Sequence, residues 1–322
     1  MKVYKNDNLQ KEAEAFDNQV STRIAKGFIP DLRNLQKVEW FYNNPWREPE
    51  FARIQWLPTI VSIITKASET GKHILEIGCG HGMLSLELAR NGLDVTGIDL
   101  SPKSIEVANE FKGKNQHIEN FGSLEYICDD FLSLNLPHNC FDCVVFFRTL
   151  HHFPNIKEVV KKVYELLVPN GRILLCEPIR SKFDHNAAEF ALILRTLLPT
   201  WESYEFKVDI EWNEKIWKEK VDEIYNEYVY KDRHRQSVMD NSTDSAEDIL
   251  AAVKSYFKVE YLKYSDAFID KLIGGLRGKS RFKLARFLKF LDNYMVENRI
   301  LPPTSMTLFA VKKSESTIKA IV

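Results

Sequence analysis

The segment Glu76-Ile77-Gly78-Cys79-Gly80-His81-Gly82 constrains this chain most. It joins an apolar run at 73–77 (HILEI) to a stretch at 83–90 with apolar residues at helical spacing. A glycine-rich turn from strand into helix lets the backbone reverse sharply and lets a ligand approach the main chain. The spacing is G-x-G-x-G, whereas a nicotinamide-binding turn reads G-x-G-x-x-G. Glu76 places an acid ahead of the glycines. That suits a ligand with an ammonium and a sulfonium better than a diphosphate.

The surrounding residues repeat the strand-to-helix alternation. Strands are predicted at 94–99, 124–128, 143–147, 172–177, 258–264 and 305–312. Helices are predicted at 83–90, from Pro102 to about Lys112, at 157–167 and at 246–256. Ser101 is a good N-cap, and Pro102 fits the first helical position. The Pro169-Asn170-Gly171 turn should stop the third of these helices. Such alternation predicts an α/β fold: a Rossmann-like, seven-stranded, mostly parallel sheet with helices on both faces. Residues 1–70, 181–243 and 265–303 stand outside it, carry helical patterning, and are read as a helical cap. In the second of these, Trp217, Val221, Ile224, Tyr225 and Tyr228 make one apolar stripe. The expected plan is an N-terminal cap (1–70), a cofactor-binding core (71–180), a cap insertion (181–243), a core helix and strand (244–264), a basic cap insertion (265–303), and a last strand with tail (304–322).

Composition narrows the function. A formal net charge of -1 gives no general pull toward nucleic acid. Cys140 and Cys143 form a CxxC without flanking metal ligands, so the five cysteines read as small apolar residues in a reducing compartment. No signal-peptide or membrane-helix run is present, and a cytoplasmic location is expected.

Two further acids fall where a nucleoside would need them. Asp99 ends the second strand, 17 residues after Gly82, where a carboxylate can accept from ribose hydroxyls. Asp130 follows the third strand, where it can accept from an adenine amine. With these in place, residues 73–178 resemble the core of the class I S-adenosylmethionine-dependent methyltransferases, in particular the type 11 group. The matching stretches are ILEIGCGHG, VTGIDLSPKSIEVA, CDDFLSLNLPHNCFD, VVFFRTLHHFPN and ELLVPNGRILLCEP, in that order. The resemblance implies S-adenosylmethionine as cofactor and S-adenosylhomocysteine as product. It implies that Gly78, Cys79, Gly80 and Gly82 line the methionine and ribose portion. Glu76 would orient the amine, Asp99 bind the ribose, and Leu100 pack on adenine. Asp130 and the Phe131 backbone would read the adenine edge, and Phe147 or Arg148 would meet the methionine end. His81 departs from the small or polar residue usual at its position.

In such an enzyme the cofactor carries the difficult chemistry, and the protein aligns the acceptor, excludes water and removes a proton where needed. His151 and His152, after the fourth strand, are the candidate bases, with a loop-orienting role as the alternative. Glu177 reads as a structural hydrogen-bonding residue. No metal is expected. Tyr42, Trp46 and Arg47, in an aromatic and polar turn, and His185, after the fifth strand, are candidate substrate contacts; a packed turn is the alternative for the first three. Between 271 and 289 stand seven basic residues and no acid, which suits an anionic substrate, a peripheral membrane contact or a solvated cap helix. The caps imply a substrate larger than a bare amino acid; their PWR-type turn near the start and LPPTS-type segment before the last strand resemble caps of methyltransferases acting on surface glycans or secondary metabolites, and that resemblance implies a small-molecule or glycan acceptor, with a leaning toward O-methylation of a sugar or glycolipid intermediate. The rivals are a protein or nucleic-acid methyltransferase, disfavoured by Arg148-Thr149-Leu150-His151-His152 where a D/N-P-P-Y/F/W motif would stand, and a non-catalytic binding module. Acceptor atom and oligomeric state have no signature in the sequence.

Overall fold

The computed structural model describes residues 4, 6–201, 207, 209–240, 245–314 and 316. Seven strands form one sheet: β1 (His73–Ile77), β2 (Asp94–Asp99), β3 (Leu124–Cys128), β4 (Phe141–Phe147), β5 (Leu167–Pro178), β6 (Phe257–Ser265) and β7 (Ser305–Lys312). Their order is β3-β2-β1-β4-β5-β7-β6. Strand β7 runs antiparallel to both neighbours, and the β3-to-β5 pairs are all parallel. The central strands are apolar on both faces because both are covered. Ile74, Cys143, Val145 and Leu174 pack under α3 (Leu57–Ser68) and α4 (Met83–Arg90). Leu75, Val144, Phe146 and Leu175 pack under α6 (Ile156–Leu166) and α9 (Ala246–Tyr256). Helix α5 (Pro102–Asn115) starts as the sequence indicates, with the Ser101 hydroxyl accepting from the Ser104 amide.

The sheet matches the sequence reading, with two adjustments. Strand β4 starts at Phe141, two residues early. Strand β5 starts at Leu167 and carries the Pro-Asn-Gly as an internal irregularity: pairing jumps from Phe141–Leu167 to Cys143–Arg172, and Asn170 sits at φ 63°. Cys143 lies in the β4 core, and all five cysteines are free.

Parts of the segments outside the alternation form a layer of their own, whereas α3, within 1–70, packs on the sheet. Helices α2 (Pro49–Gln55), α7 (His185–Leu197), α8 (Glu214–Tyr228) and α10 (Arg281–Glu297), with residues 267–276, enclose a separate apolar core around Phe51, Ala191, Ile224, Phe268 and Leu288. The stripe on α8 faces it as expected. Most of the basic run is matched within the chain. Arg281 pairs with Glu48, Arg286 with Glu50, Lys289 with Asp266, and Arg277 donates to backbone carbonyls. Lys271 donates to the Tyr230 hydroxyl, and Lys279 and Lys283 are the exposed remainder. Among the described residues no helix is long and apolar enough to cross a membrane.

Candidate active site

The functional side chains gather at the C-terminal ends of the strands, where open α/β sheets bind ligands. At the end of β1 the chain turns through Gly78, Gly80 and Gly82, all at positive φ. A Cβ on Gly78 would lie 2.0 Å from a Thr149 methyl, so this glycine allows the close approach of the loop after β4. A Cβ on Gly80 would meet nothing within 4 Å, because Gly80 faces open space. Gly82 lines neither cavity described below and caps α4.

Two cavities share a wall here. The first, about 380 Å³, runs past Gly80, Asp99, Leu100, Asp130 and Phe131, and Phe16 and Val20 of α1 (Asp7–Ala25) close it. The second, about 280 Å³, has aromatic walls that include Phe28, Phe41, Trp46 and Trp56. Gly78, Gly80, Phe147, Arg148 and His152 border both. Cys79 and Glu76 border the second, at the end nearest the turn.

In the first cavity Asp99 accepts from the amides of Gly80 and Ser101, each at 2.8 Å, one per carboxylate oxygen. Each oxygen keeps a lone pair for a ribose hydroxyl. Burial raises its pKa, and the two amides oppose the rise. Asp130 accepts from the Leu132 and Ser133 amides, which fixes the turn carrying Phe131. Glu76 is 2% exposed and accepts from the Ser85 hydroxyl. Burial pushes its carboxyl up to about 8. The open space over Gly80 and the acids at Asp99, Asp130 and Glu76 suit an adenosyl group that ends in an ammonium.

Beside the shared wall the two histidines are each held at Nδ1 by a buried carboxylate. His151 Nδ1 lies 2.9 Å from Glu177, and Glu177 also accepts from the amides of Thr149 and Leu150 at 2.9 Å. His152 Nδ1 lies 2.8 Å from Glu12, which takes the Ser237 hydroxyl at 2.7 Å and the Met239 amide at 2.9 Å. A carboxylate partner favours a proton on His151 Nδ1 and so leaves a lone pair on its Nε2. Burial, then the charges of His152 and Arg180, hold His151 well below the usual histidine range. His151, His152 and Asp240 also offer ligand atoms within 4.8 Å of one another, a spacing compatible with a metal ion that sequence reasoning did not foresee.

Of the other expected contacts, Trp46 lines the aromatic cavity and stacks on Trp56. Three do not, which corrects the sequence reading. Tyr42 is 56% exposed. Arg47 is 2% exposed, donates to the Gly274 and Leu276 carbonyls, and pairs with Glu48, so it joins the turn to the cap. His185 lies on the surface against Asp222 and Tyr225. Sequence reasoning missed Arg23, Trp56, Arg180, Tyr230 and Asp240, which line the aromatic cavity together with Lys271, the first residue of the basic run already read as suited to an anionic substrate. None of the missed residues sits in a motif.

The sheet order and the gathering of side chains at the strand ends are those of the Rossmann-like class I methyltransferase fold. The family profile described as a methyltransferase domain matches residues 75–175. The chain is 35% identical over 103 residues to a ubiquinone biosynthesis O-methyltransferase of Coxiella burnetii, covering 32% of this chain and 42% of that protein. It is 39% identical over 106 residues to the mitochondrial ubiquinone biosynthesis O-methyltransferase of Schizosaccharomyces pombe, covering 33% and 38%. The chain thus spans about two fifths of the length of these curated relatives. Two solved structures share the fold over nearly the whole chain. One is a Galdieria sulphuraria protein assigned as a sarcosine dimethylglycine methyltransferase (TM-score 0.51, 12% identity, 92% of this chain and 98% of that one). The other is the (4+2)-cyclase SpnF (TM-score 0.52, 13% identity, 97% and 98%). Since a cyclase shares the fold, the reaction has to be argued from the site.

Proposed function

We propose that this chain transfers the methyl group of S-adenosylmethionine to an oxygen of a small, ring-bearing molecule, either a sugar or another cyclic metabolite. The observation that carries the reading is the pair of cavities meeting at Gly78, Gly80, Phe147 and Arg148. One has acids at the nucleoside positions, and the other has aromatic walls and a carboxylate-anchored histidine. The bound cofactor supplies a methyl group on a good leaving group. Asp99 holds the ribose, Asp130 and the Phe131 amide read adenine, and Leu100 packs on it. Glu76 faces the amine, and Phe147 and Arg148 meet the methionine end. The acceptor ring lies against Trp46 and Trp56, whose faces suit sugars and flat rings. His151 takes the acceptor hydroxyl's proton at Nε2, and Glu177 stabilises the imidazolium that results. The O-methyltransferase relatives support the oxygen acceptor.

Transfer of labelled methyl from S-adenosylmethionine into a cell extract, fractionated into metabolites, glycans, lipids, proteins and RNA, tests the reading. Label in metabolites or glycans is expected. Label confined to protein or RNA would overturn the acceptor class and leave the cofactor site standing.

A further inference from the structure

The aromatic cavity holds more positive charge than hydroxyl methylation requires. Arg23 from α1, Arg148 after β4, Arg180 after β5 and Lys271 from the cap all border it. Facing them are two carboxylates, Asp240 and Asp270, and Glu76, which holds its proton up to about 8. The bound cofactor would bring a sulfonium, an ammonium and a carboxylate, its ammonium favouring the ionised form of Glu76. Four cations against the carboxylates of Asp240 and Asp270 in a half-closed site call for an anion from the ligand.

Two of these cations meet at Tyr230. Lys271 Nζ donates to its hydroxyl at 2.5 Å and stands 3.8 Å from the ring centre, and the Arg180 guanidinium lies 4.1 Å from the same ring. Burial alone would push this phenol up. Lys271, Arg180 and Arg148 outweigh burial, against the opposition of Asp270, and hold it below its ordinary range. Tyr230 also sits at φ 54°, a conformation that a bulky side chain adopts only when its surroundings impose it. Arg148 rests 4.9 Å from the Trp56 ring centre, and among the described residues its guanidinium has no hydrogen-bond or ion-pair partner. The field that stabilises a phenolate at this spot stabilises any oxyanion beside it.

We infer that the acceptor carries an oxyanion, a carboxylate or phosphate, and that Lys271 and the Tyr230 hydroxyl bind it while Trp46 and Trp56 hold the ring. This deepens the acceptor reading given above and rests on it. Arg148 and Arg180 supply field from the flanks. The methyl-accepting oxygen and the oxyanion are then two separate groups of one molecule, the first toward His151 and the second toward the cap.

Calorimetry on protein saturated with S-adenosylhomocysteine, using benzoate and phenyl phosphate against the uncharged benzamide, tests this. At least one anion should bind about tenfold or more tightly than benzamide. Lys271→Met and Tyr230→Phe should each weaken that anion about tenfold and leave benzamide within about twofold. Unchanged S-adenosylhomocysteine affinity in both variants reports that they fold. Equal affinity for anions and benzamide, no binding of any probe to the loaded protein, or anion binding indifferent to both variants would overturn the inference. Failure of the protein to take S-adenosylhomocysteine at all would overturn the cofactor reading first, and this inference with it.

Discussion

Glu76 has only Ser85 to stabilise its charge, so burial dominates and the carboxyl titrates near 8 in the fold, against 4.5 without burial. Between those values the folded protein holds a proton that the unfolded chain has lost, so this group's contribution to stability falls as pH rises across the window. A ligand ammonium reverses the preference. Cofactor binding at pH 7 should therefore release close to one proton, read from calorimetry in two buffers of different ionisation enthalpy, and Glu76→Gln should abolish the release. His151 is shifted the other way. Held well below 6.5, it stays a free base as pH falls through that value, so kcat should remain level there. His151→Ala should lower kcat by about 100-fold or more with S-adenosylhomocysteine affinity nearly unchanged, as equilibrium binding and initial rates would show. The guanidiniums of Arg148 and Arg180, which disfavour a proton on His151, equally disfavour a dication between His151, His152 and Asp240. Dialysis against EDTA should leave methyl transfer intact; a loss restored by a divalent ion would assign a metal to that cluster. The meeting of Gly78, Gly80, Asp99 and Asp130 at one cavity was readable because these residues sit at fixed offsets from strand ends, within one stretch of sequence. Arg180 and Tyr230 were not, and the basic run that begins at Lys271 was read without its place in the cavity, since only tertiary packing brings the three together. Arg47 misled for the opposite reason: nothing local distinguishes an arginine at a binding rim from one buried under carbonyls.

At the level of elements, periodicity located the seven strands, because central strands covered on both faces read as short apolar runs. It could not show that β5 continues through Pro169-Asn170-Gly171, since turn residues look alike in a loop and in an irregular strand. The cap helices were visible and their mutual packing was not. Asp292 of α10 is a main part of that packing. It is 0% exposed and accepts from the amides of Ala267, Phe268 and Ile269 at 2.9, 2.9 and 3.1 Å. Asp292→Ala strands three buried donors and should cost about 3 kcal/mol, measured as a lower urea midpoint. Asp292→Asn keeps one acceptor oxygen and should cost less. Because the cap core is separate from the two cores flanking the sheet, S-adenosylhomocysteine affinity should change little in either variant.

For the molecule as a whole, α1 is the element that holds core and cap around one ligand. Asp17 accepts from the Ser101 hydroxyl at 2.5 Å and the Lys103 amide at 2.9 Å, fixing α1 to the start of α5. Glu12 joins His152 of the core to Ser237 and Met239. Between these anchors Phe16 and Val20 close the nucleoside cavity. Burial pushes Glu12 up, and its hydrogen bonds from His152, Ser237 and Met239 outweigh burial and hold it below 4.5. A lowered acid stabilises the fold above its unfolded value, and that contribution is lost as pH falls through the folded one. Removing the carboxylate should loosen α1 at any pH. A ligand that needs α1 in place then binds in proportion to the fraction of molecules still closed. Glu12→Ala should weaken S-adenosylhomocysteine about tenfold, equivalent to about 1.4 kcal/mol, and speed protease cleavage within residues 7–25. Saturating ligand should restore resistance in the variant, because binding selects the closed arrangement. Protease resistance equal to the parent protein, with unchanged affinity, would mean that Asp17 and the apolar face hold α1 without Glu12.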